Sequence, residues 1–332
     1  LLVLDGNSLL HRAYHAAATG LLLDDDGRPV WALKGLVGYL ARAAAKLRPD
    51  AVLVGFDCPE QSVRKADHAA YKAHRAEKPA DLMEQILAAP GLLRAAGVRT
   101  VVQTGYEGDD VLASAATHAR RAGWRSVLMT SDRDAFALLD GSTSVLRVRN
   151  GGLDEAVLVT PSTLPDICGV QPWQYRDYAA LRGDPSDNLP GVKGFGSATA
   201  ARLLAAFGTI DAAWAALDRG EPQRVHAVVG ETATGNLHAM RDVVERNRRL
   251  MRMHTDLPMP ELETTRLPLD YLGMRRALLT RGIILGPSLW ALTGRSAPLG
   301  DDELAVLVPQ PFIWRKRSRA QREPSPDQLA LF

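Results

Sequence analysis

Nine carboxylates stand in short groups along the chain: Asp5 and Asp57 singly, then Glu107-Gly-Asp109-Asp110, Asp132-Arg-Asp134 and Asp184-Pro-Ser-Asp187. Hard divalent ions such as Mg2+ take oxygen ligands, commonly a few carboxylates completed by water. Two such ions, roughly 4 Å apart, activate a water and neutralise the leaving oxygen of an in-line displacement. Several acids must converge to balance their charge, and without metal so many buried like charges would repel one another. Each acid also has an ordinary reading: Asp110 before Val-Leu-Ala suits a helix N-cap, and Asp187 suits a turn. Taken together, they point to a divalent-metal phosphodiesterase.

Four apolar runs read as buried strands: Leu1–Leu4, Ala51–Phe56, Val98–Val102 and Ser126–Met129. Helix-like segments such as Lys34–Leu47 and Val111–Ala122 separate them, an alternation that predicts a mostly parallel sheet flanked by helices. Three of the runs lead directly into Asp5, Asp57 and Asp132. Ligands of open α/β sheets sit at the carboxyl ends of the strands, so the acids fall on the edge where a site is expected.

Between Arg64 and about Pro90 basic residues (Arg64, Lys65, Lys72, Arg75, Lys78) interleave with alanines, which predicts a partly helical insertion over 64–90. The spacing of Lys72 and Arg75 predicts one shared helix face. With Arg64 they could stabilise charge on a phosphate. Gly191-Val-Lys193-Gly194-Phe-Gly196 is a glycine turn entering a helix, where backbone N–H groups approach an anion closely. No strand is convincing beyond residue 160. Helical patterns at Gly191–Ala206 and Asn236–Met253 make 161–300 a second, α-helical region. A basic, proline-containing tail, 309–332, ends in Gln328-Leu329-Ala-Leu331-Phe332.

The bulk numbers set limits. The 332 residues are 46% hydrophobic and 23% charged, with 40 Lys plus Arg against 38 Asp plus Glu, a net charge of +2. This is ordinary globular composition, with room for acids in a site and bases on a binding face. Cys58 and Cys168 cannot make a disulfide framework, and no apolar run is long enough for a membrane helix. A monomer in a reducing cytoplasm, associated with the nucleoid, is expected. The start at Leu1 suggests that a residue or more has been trimmed.

Leu4-Asp-Gly-Asn-Ser-Leu-Leu-His-Arg-Ala-Tyr14, Phe56-Asp57, Tyr71-Lys-Ala-His-Arg75, Gly105-Tyr-Glu-Gly-Asp-Asp-Val-Leu-Ala113, Thr130-Ser-Asp-Arg-Asp134 and Gly183-Asp-Pro-Ser-Asp-Asn-Leu-Pro-Gly-Val-Lys-Gly-Phe-Gly196 occur in order. Together they resemble the 5′–3′ exonuclease/flap endonuclease family, which includes the nuclease domain of bacterial DNA polymerase I, over roughly residues 1–290. The departures are small: Gly108 stands where Ala is usual, and Val63 where an aromatic often precedes the arginine.

The resemblance implies a PIN-like α/β core at 1–160 and a helical arch at 64–90 through which a 5′ strand passes. It also implies a helix–two-turn–helix at 188–207 that grips duplex DNA and often binds K+. All nine acids fall on metal-ligand positions, implying two or three Mg2+ or Mn2+ ions. Lys72, Arg75 and Arg64 become the catalytic bases, and Lys193 with Gly191, Gly194 and Gly196 the duplex contacts. Tyr14 could stack on a base. Gln328, Leu329, Leu331 and Phe332 are similar to the peptide by which bacterial repair proteins dock on the sliding clamp. The absence of a polymerase module suggests a stand-alone nuclease. Expected substrates are 5′ flaps, nicks and RNA-primed 5′ ends, cut to leave a 5′-phosphate and a 3′-hydroxyl. Two rivals are a branched-DNA binder without turnover, which flap cleavage with Mg2+ or Mn2+ would exclude, and an RNase, which equal cleavage of single-stranded RNA would favour.

Overall fold

The structure, a computed structural model, describes residues 1–16, 22–60, 62–285 and 289–294. The tail at 309–332 and its four docking candidates lie outside the described residues. The four apolar runs form parallel strands: β1 (Leu2–Asp5), β2 (Val52–Phe56), β3 (Arg99–Val102) and β4 (Ser126–Thr130). A hairpin that the sequence reading missed, β5 (Thr143–Arg149) and β6 (Gly152–Val159), extends the sheet. The order is β3-β2-β1-β4-β5-β6, with only β6 antiparallel. Central strands covered on both faces need uninterrupted apolar runs, which is why β1, β2 and β4 were legible. The hairpin strands mix Arg147, Arg149, Asp154 and Glu155 with apolar residues because one face is open to water. A two-stranded ladder, Gly183–Asp184 with Leu189–Pro190, also lies beyond residue 160, where no strand was expected.

Alternate side chains of each strand feed opposite faces of the sheet. Leu2, Leu4, Val52 and Val54 pack beneath helices α1 (Gly6–Ala16), α2 (Trp31–Leu47) and α4 (Ala80–Ala95). Val3 and Leu53 join α5 (Gly108–Arg121) on the other face. Their cluster runs without a break into the helical region, through Tyr175, Leu203, Trp214, Leu237 and Val244. Helix α2 starts three residues earlier than expected, because Gln85 of α4 caps it: the backbone N–H groups of Ala32 and Leu33 donate to the buried Gln85 Oε1. Such a cap comes from a distant helix and leaves no local signal.

The insertion at 64–90 is partly helical, as expected, but its helices stand at its two ends. Residues Val63–Asp67 form a short helix, α3, residues 69–74 form turns, and the remainder leads into α4. Leu82 and Ile86 of α4 are buried in the sheet-covering core. The exposed basic strap is therefore confined to about 68–79. Lys72 sits in a turn at φ +55°, so Lys72 and Arg75 do not share a helix face.

Candidate active site

At the point where the strand order reverses, between β1 and β4, the carboxyl ends of the sheet open into a cleft of about 780 Å3. Asp5, Asp57, Glu107, Asp109, Asp132, Asp134 and Asp184 line it, together with Lys72 and Arg75. Asp5 and Asp57 end β1 and follow β2, while Asp132 and Asp134 follow β4. Glu107 and Asp109 open α5 through a capping box in which Glu107 and Asp110 exchange side-chain and backbone contacts. Asp184 and Asp187 flank a single 3-10 turn held by Ser186, whose backbone N–H and hydroxyl both donate to Asp184 Oδ1 at 2.7 Å. One carboxylate oxygen from each of Asp134, Asp184 and Asp187 lies within 4.8 Å of the others, a grouping able to hold a metal ion.

The acids are held by neutral donors that aim them without cancelling their charge. Asp5 accepts from the Thr130 hydroxyl at 2.8 Å and from the Ser8 backbone at 3.0 Å. Asp57 accepts from the Asn7 amide at 2.8 Å and from the Gly108 backbone at 2.7 Å. A side chain at Gly108 would place its Cβ 3.2 Å from Asp57 Oδ1, so the absence of one leaves this contact uncrowded.

Burial and then Asp57 raise Asp5 to about 7 against the pull of these donors. Asp109 rises to about 8, through burial first and the neighbouring Asp110 and Glu107, against Arg64 and Lys72. Asp134 is pushed well above the usual carboxylate range by burial and by Asp132, Asp184 and Asp187. Carboxyls crowded in this way release their protons when a cation supplies the missing counter-charge. The donor set therefore fits divalent metal. Glu107 behaves differently: burial opposes its charge, but Lys72 and Arg64 outweigh it and hold the carboxyl below its ordinary value.

Two expected site residues turn inward. Arg64 is 5% exposed and Asp110 wholly buried. Their pairing is bidentate, with Nη2 to Oδ1 at 2.6 Å and Nη1 to Oδ2 at 2.8 Å. Arg64 Nε also donates to the Leu250 carbonyl, and Asp110 accepts from the backbone N–H groups of Glu107 and His254. With its oxygens so engaged, Asp110 does not line the cleft, and Arg64 braces α5 instead of facing a phosphate. Lys72 does face the cleft, donating to Glu107 Oε2 at 2.7 Å, where the Tyr71 hydroxyl also donates at 3.1 Å. Arg75 pairs with Asp187 at 2.6 Å.

Four hydrogen bonds lace the strap to the 184–188 turn. The Lys72 backbone donates to the Asp187 carbonyl, Arg75 Nε to the Ser186 carbonyl and Nη2 to Asp187, and the Asn188 amide to the Ala70 carbonyl. Tyr14 packs on Trp31 and donates to Asp81 of α4. Lys193, Gly194 and Gly196 are exposed on the turn before the helix Ser197–Phe207, away from the residues that line the cleft. Gly191 instead packs backbone against backbone with Arg182 and Gly183.

Sequence reading missed Asn7, Ser8, Thr130 and Ser131, although the runs around Asp5 and Asp132 contain them. It also missed Arg133, Arg147 and Arg182 on the cleft wall. Arg147 had no local signal, since it comes from the unrecognised β5.

The sequence model of the 5′–3′ exonuclease N-terminal resolvase-like domain matches residues 1–163, and that of the 5′–3′ exonuclease C-terminal SAM fold matches residues 170–270. DNA polymerase I of Mycobacterium leprae is 36% identical over 265 residues, 80% of this chain and 28% of that protein. Thermostable DNA polymerase I of Thermus thermophilus is 34% identical over 296 residues, 86% of this chain and 34% of that protein. The chain thus spans about a third of the length of these curated relatives. T5 5′-exonuclease, solved with zinc bound, shares the fold at a TM-score of 0.60 and 20% identity, over 76% of this chain and 88% of that one. No single helix among the described residues is long and apolar enough to cross a membrane. With both of its domains matched in order along the sequence, the chain belongs to the 5′–3′ exonuclease family.

Proposed function

We propose that this chain is a structure-specific 5′ nuclease that cuts phosphodiesters at 5′ flaps, nicks and 5′ ends during DNA replication and repair. The observation that carries the reading is the convergence of seven acids on one cleft whose rim bears Lys72 and Arg75. Relatives add support: T5 D15 flap endonuclease has been solved with DNA and metal ions, and the catalytic core of Rad2 with a DNA substrate.

Divalent ions, Mg2+ or Mn2+, would be held by Asp134, Asp184 and Asp187 and by Asp5, Asp57, Glu107, Asp109 and Asp132. When bound they supply charge neutralisation and an activated water. The chain's own residues do the rest. Thr130, Asn7 and Ser8 aim the carboxylates, and Asp110 with Arg64 fixes the start of α5. Lys72 and Arg75, already paired with acids, are positioned to move onto a phosphate when substrate enters. Lys193 and the glycine turn at 191–196 would bind duplex backbone away from the cut, with K+ as an optional ligand of a helix–two-turn–helix there. Contacts of this kind read structure and not sequence. Gln328, Leu329, Leu331 and Phe332 are proposed to dock on a sliding clamp, and the protein to act as a monomer.

The test is incubation of labelled 5′-flap DNA with Mg2+ or Mn2+, wild type beside Asp132→Asn, followed by product sizing. Cleavage near the junction that Asp132→Asn suppresses is the expected result. An unaffected variant overturns the metal assignment, and equal cutting of single-stranded RNA overturns the substrate.

A further inference from the structure

The β5 side of the cleft is cationic, and among the described residues its arginines have no carboxylate partner. Arg133, Arg147 and Arg182 line the same cleft as the acids. Among the described residues, the ion pairs around the cleft belong to Arg64, Lys72 and Arg75. Arg182 lies over the Tyr178 ring at 5.2 Å, and neither Arg133 nor Arg147 meets a carboxylate. Two buried polar atoms in this region have no hydrogen-bond partner, Arg147 Nε and the Tyr175 hydroxyl. Burial disfavours the charge on Arg147, and Arg133, Arg149 and Arg12 add like charge around it.

Unopposed guanidiniums beside an unpaired buried donor are costly, and an anion in the cleft would supply their missing counter-charge. The placement is also telling. Arg147 pairs in register with Thr130, whose hydroxyl holds Asp5, so it stands two strands away from that acid on the carboxyl edge of the sheet. Lys72 and Arg75 come from the separate strap.

We propose that Arg133, Arg147 and Arg182 form a phosphate-binding site on the β5 side of the cleft that takes a phosphate of the bound strand other than the one being cut. Planar guanidiniums suit this ligand, because each offers paired N–H donors to two phosphate oxygens. A terminal 5′-phosphate and an internal diester share this chemistry. The proposal rests on the nuclease reading above.

The experiment uses the full chain and the Arg147→Gln/Arg182→Gln double variant. Binding of 5′-flap and nicked DNA is measured in Ca2+ over a range of salt, with 5′-phosphate and 5′-hydroxyl ends. Arg121→Gln/Arg125→Gln, with two exposed changes at and just beyond the far end of α5, controls for the same loss of net charge. The expected result is roughly tenfold weaker binding. The slope of log affinity against log salt should also shrink by about 1 to 2, with the control unchanged. Loss confined to phosphorylated ends assigns the terminal phosphate, and equal loss on both assigns an internal diester. Unchanged affinity and slope in a wild type that cuts flaps overturns the site and leaves the nuclease reading standing. A wild type that neither binds nor cuts flap DNA overturns the nuclease reading instead. In that case, thermal stabilisation by inorganic phosphate over chloride at equal ionic strength, present in wild type and absent from the variant, decides the site alone. If the double variant fails to fold, Arg182→Gln on the half-exposed wall carries the same measurements.

Discussion

Arg64 separates two accounts of the basic residues. The sequence places it among those that hold a phosphate, whereas the structure buries it against Asp110 with two short hydrogen bonds and a third to the Leu250 carbonyl. Replacing it by Met keeps the apolar volume but strands the Asp110 carboxylate, which is 0% exposed, with only backbone donors. Removing one partner of a buried pair costs about 3–5 kcal/mol. A domain of this kind has roughly 5–15 kcal/mol in all, so a large part of the stability should go. Urea unfolding of metal-free Arg64→Met against wild type measures it. Adding Asp110→Asn to Arg64→Met should return about 1–3 kcal/mol by removing the stranded charge. Flap cleavage per folded molecule should stay within about tenfold of wild type, since no interaction with developing charge is lost. An Arg64→Met protein that is as stable as wild type but inactive would refute the brace and return Arg64 to the phosphate.

Four further outcomes are expected. Asp5 at about 7 and Asp109 at about 8 lie above their unfolded values near 4, so their contribution to stability is complete below that value and lost as pH rises through 7 and 8. The melting temperature of metal-free protein should therefore fall between pH 5 and 8.5, and Mg2+ should flatten the fall; a rise would contradict the crowding of the acids. Lys72→Ala should lower kcat by about 10²–10³-fold per folded molecule, as loss of a donor to developing charge does, with the folded fraction checked by calorimetry. Gly183→Ala would bring a Cβ to 2.2 Å from the Gly191 nitrogen at φ +73°, so a loss of roughly 2–5 kcal/mol and weaker metal binding by titration calorimetry are expected. Deletion of residues 328–332 should abolish binding to a sliding clamp in surface plasmon resonance while flap cleavage persists.

The legible parts of the sequence share a physical cause. Strands buried on both faces must be continuously apolar, so β1, β2 and β4 stood out, and the acids at their ends could be found by position. Parts that depend on distant partners did not show. Asp110 and Asp109 are adjacent carboxylates of the same type, and only the approach of Arg64 and His254 in three dimensions turns one inward and leaves the other in the cleft. The strap looked helical because alanine spacing carries that pattern, yet its hydrogen bonds go to the 184–188 turn and fix Lys72 in a left-handed conformation. β5 was obscured by the arginines on its open face, and with it went the cationic wall.

The cluster that joins Val3 and Leu53 to Trp214 and Leu237 makes this chain a poor source of spare parts. The two family matches meet between residues 163 and 170, an inviting place to cut or to fuse. A cut there would split a shared interior, leaving each fragment with a raw apolar face and a tendency to stick to its neighbours. Farther along, the Leu267 backbone donates to the Asp50 carbonyl and Ala51 bridges to Arg266, so the returning chain is stitched to the far edge of the sheet. Grafting the cleft into another protein would therefore mean carrying nearly all of residues 1–294, and the gap between the matches is a border in sequence without being a seam in the fold.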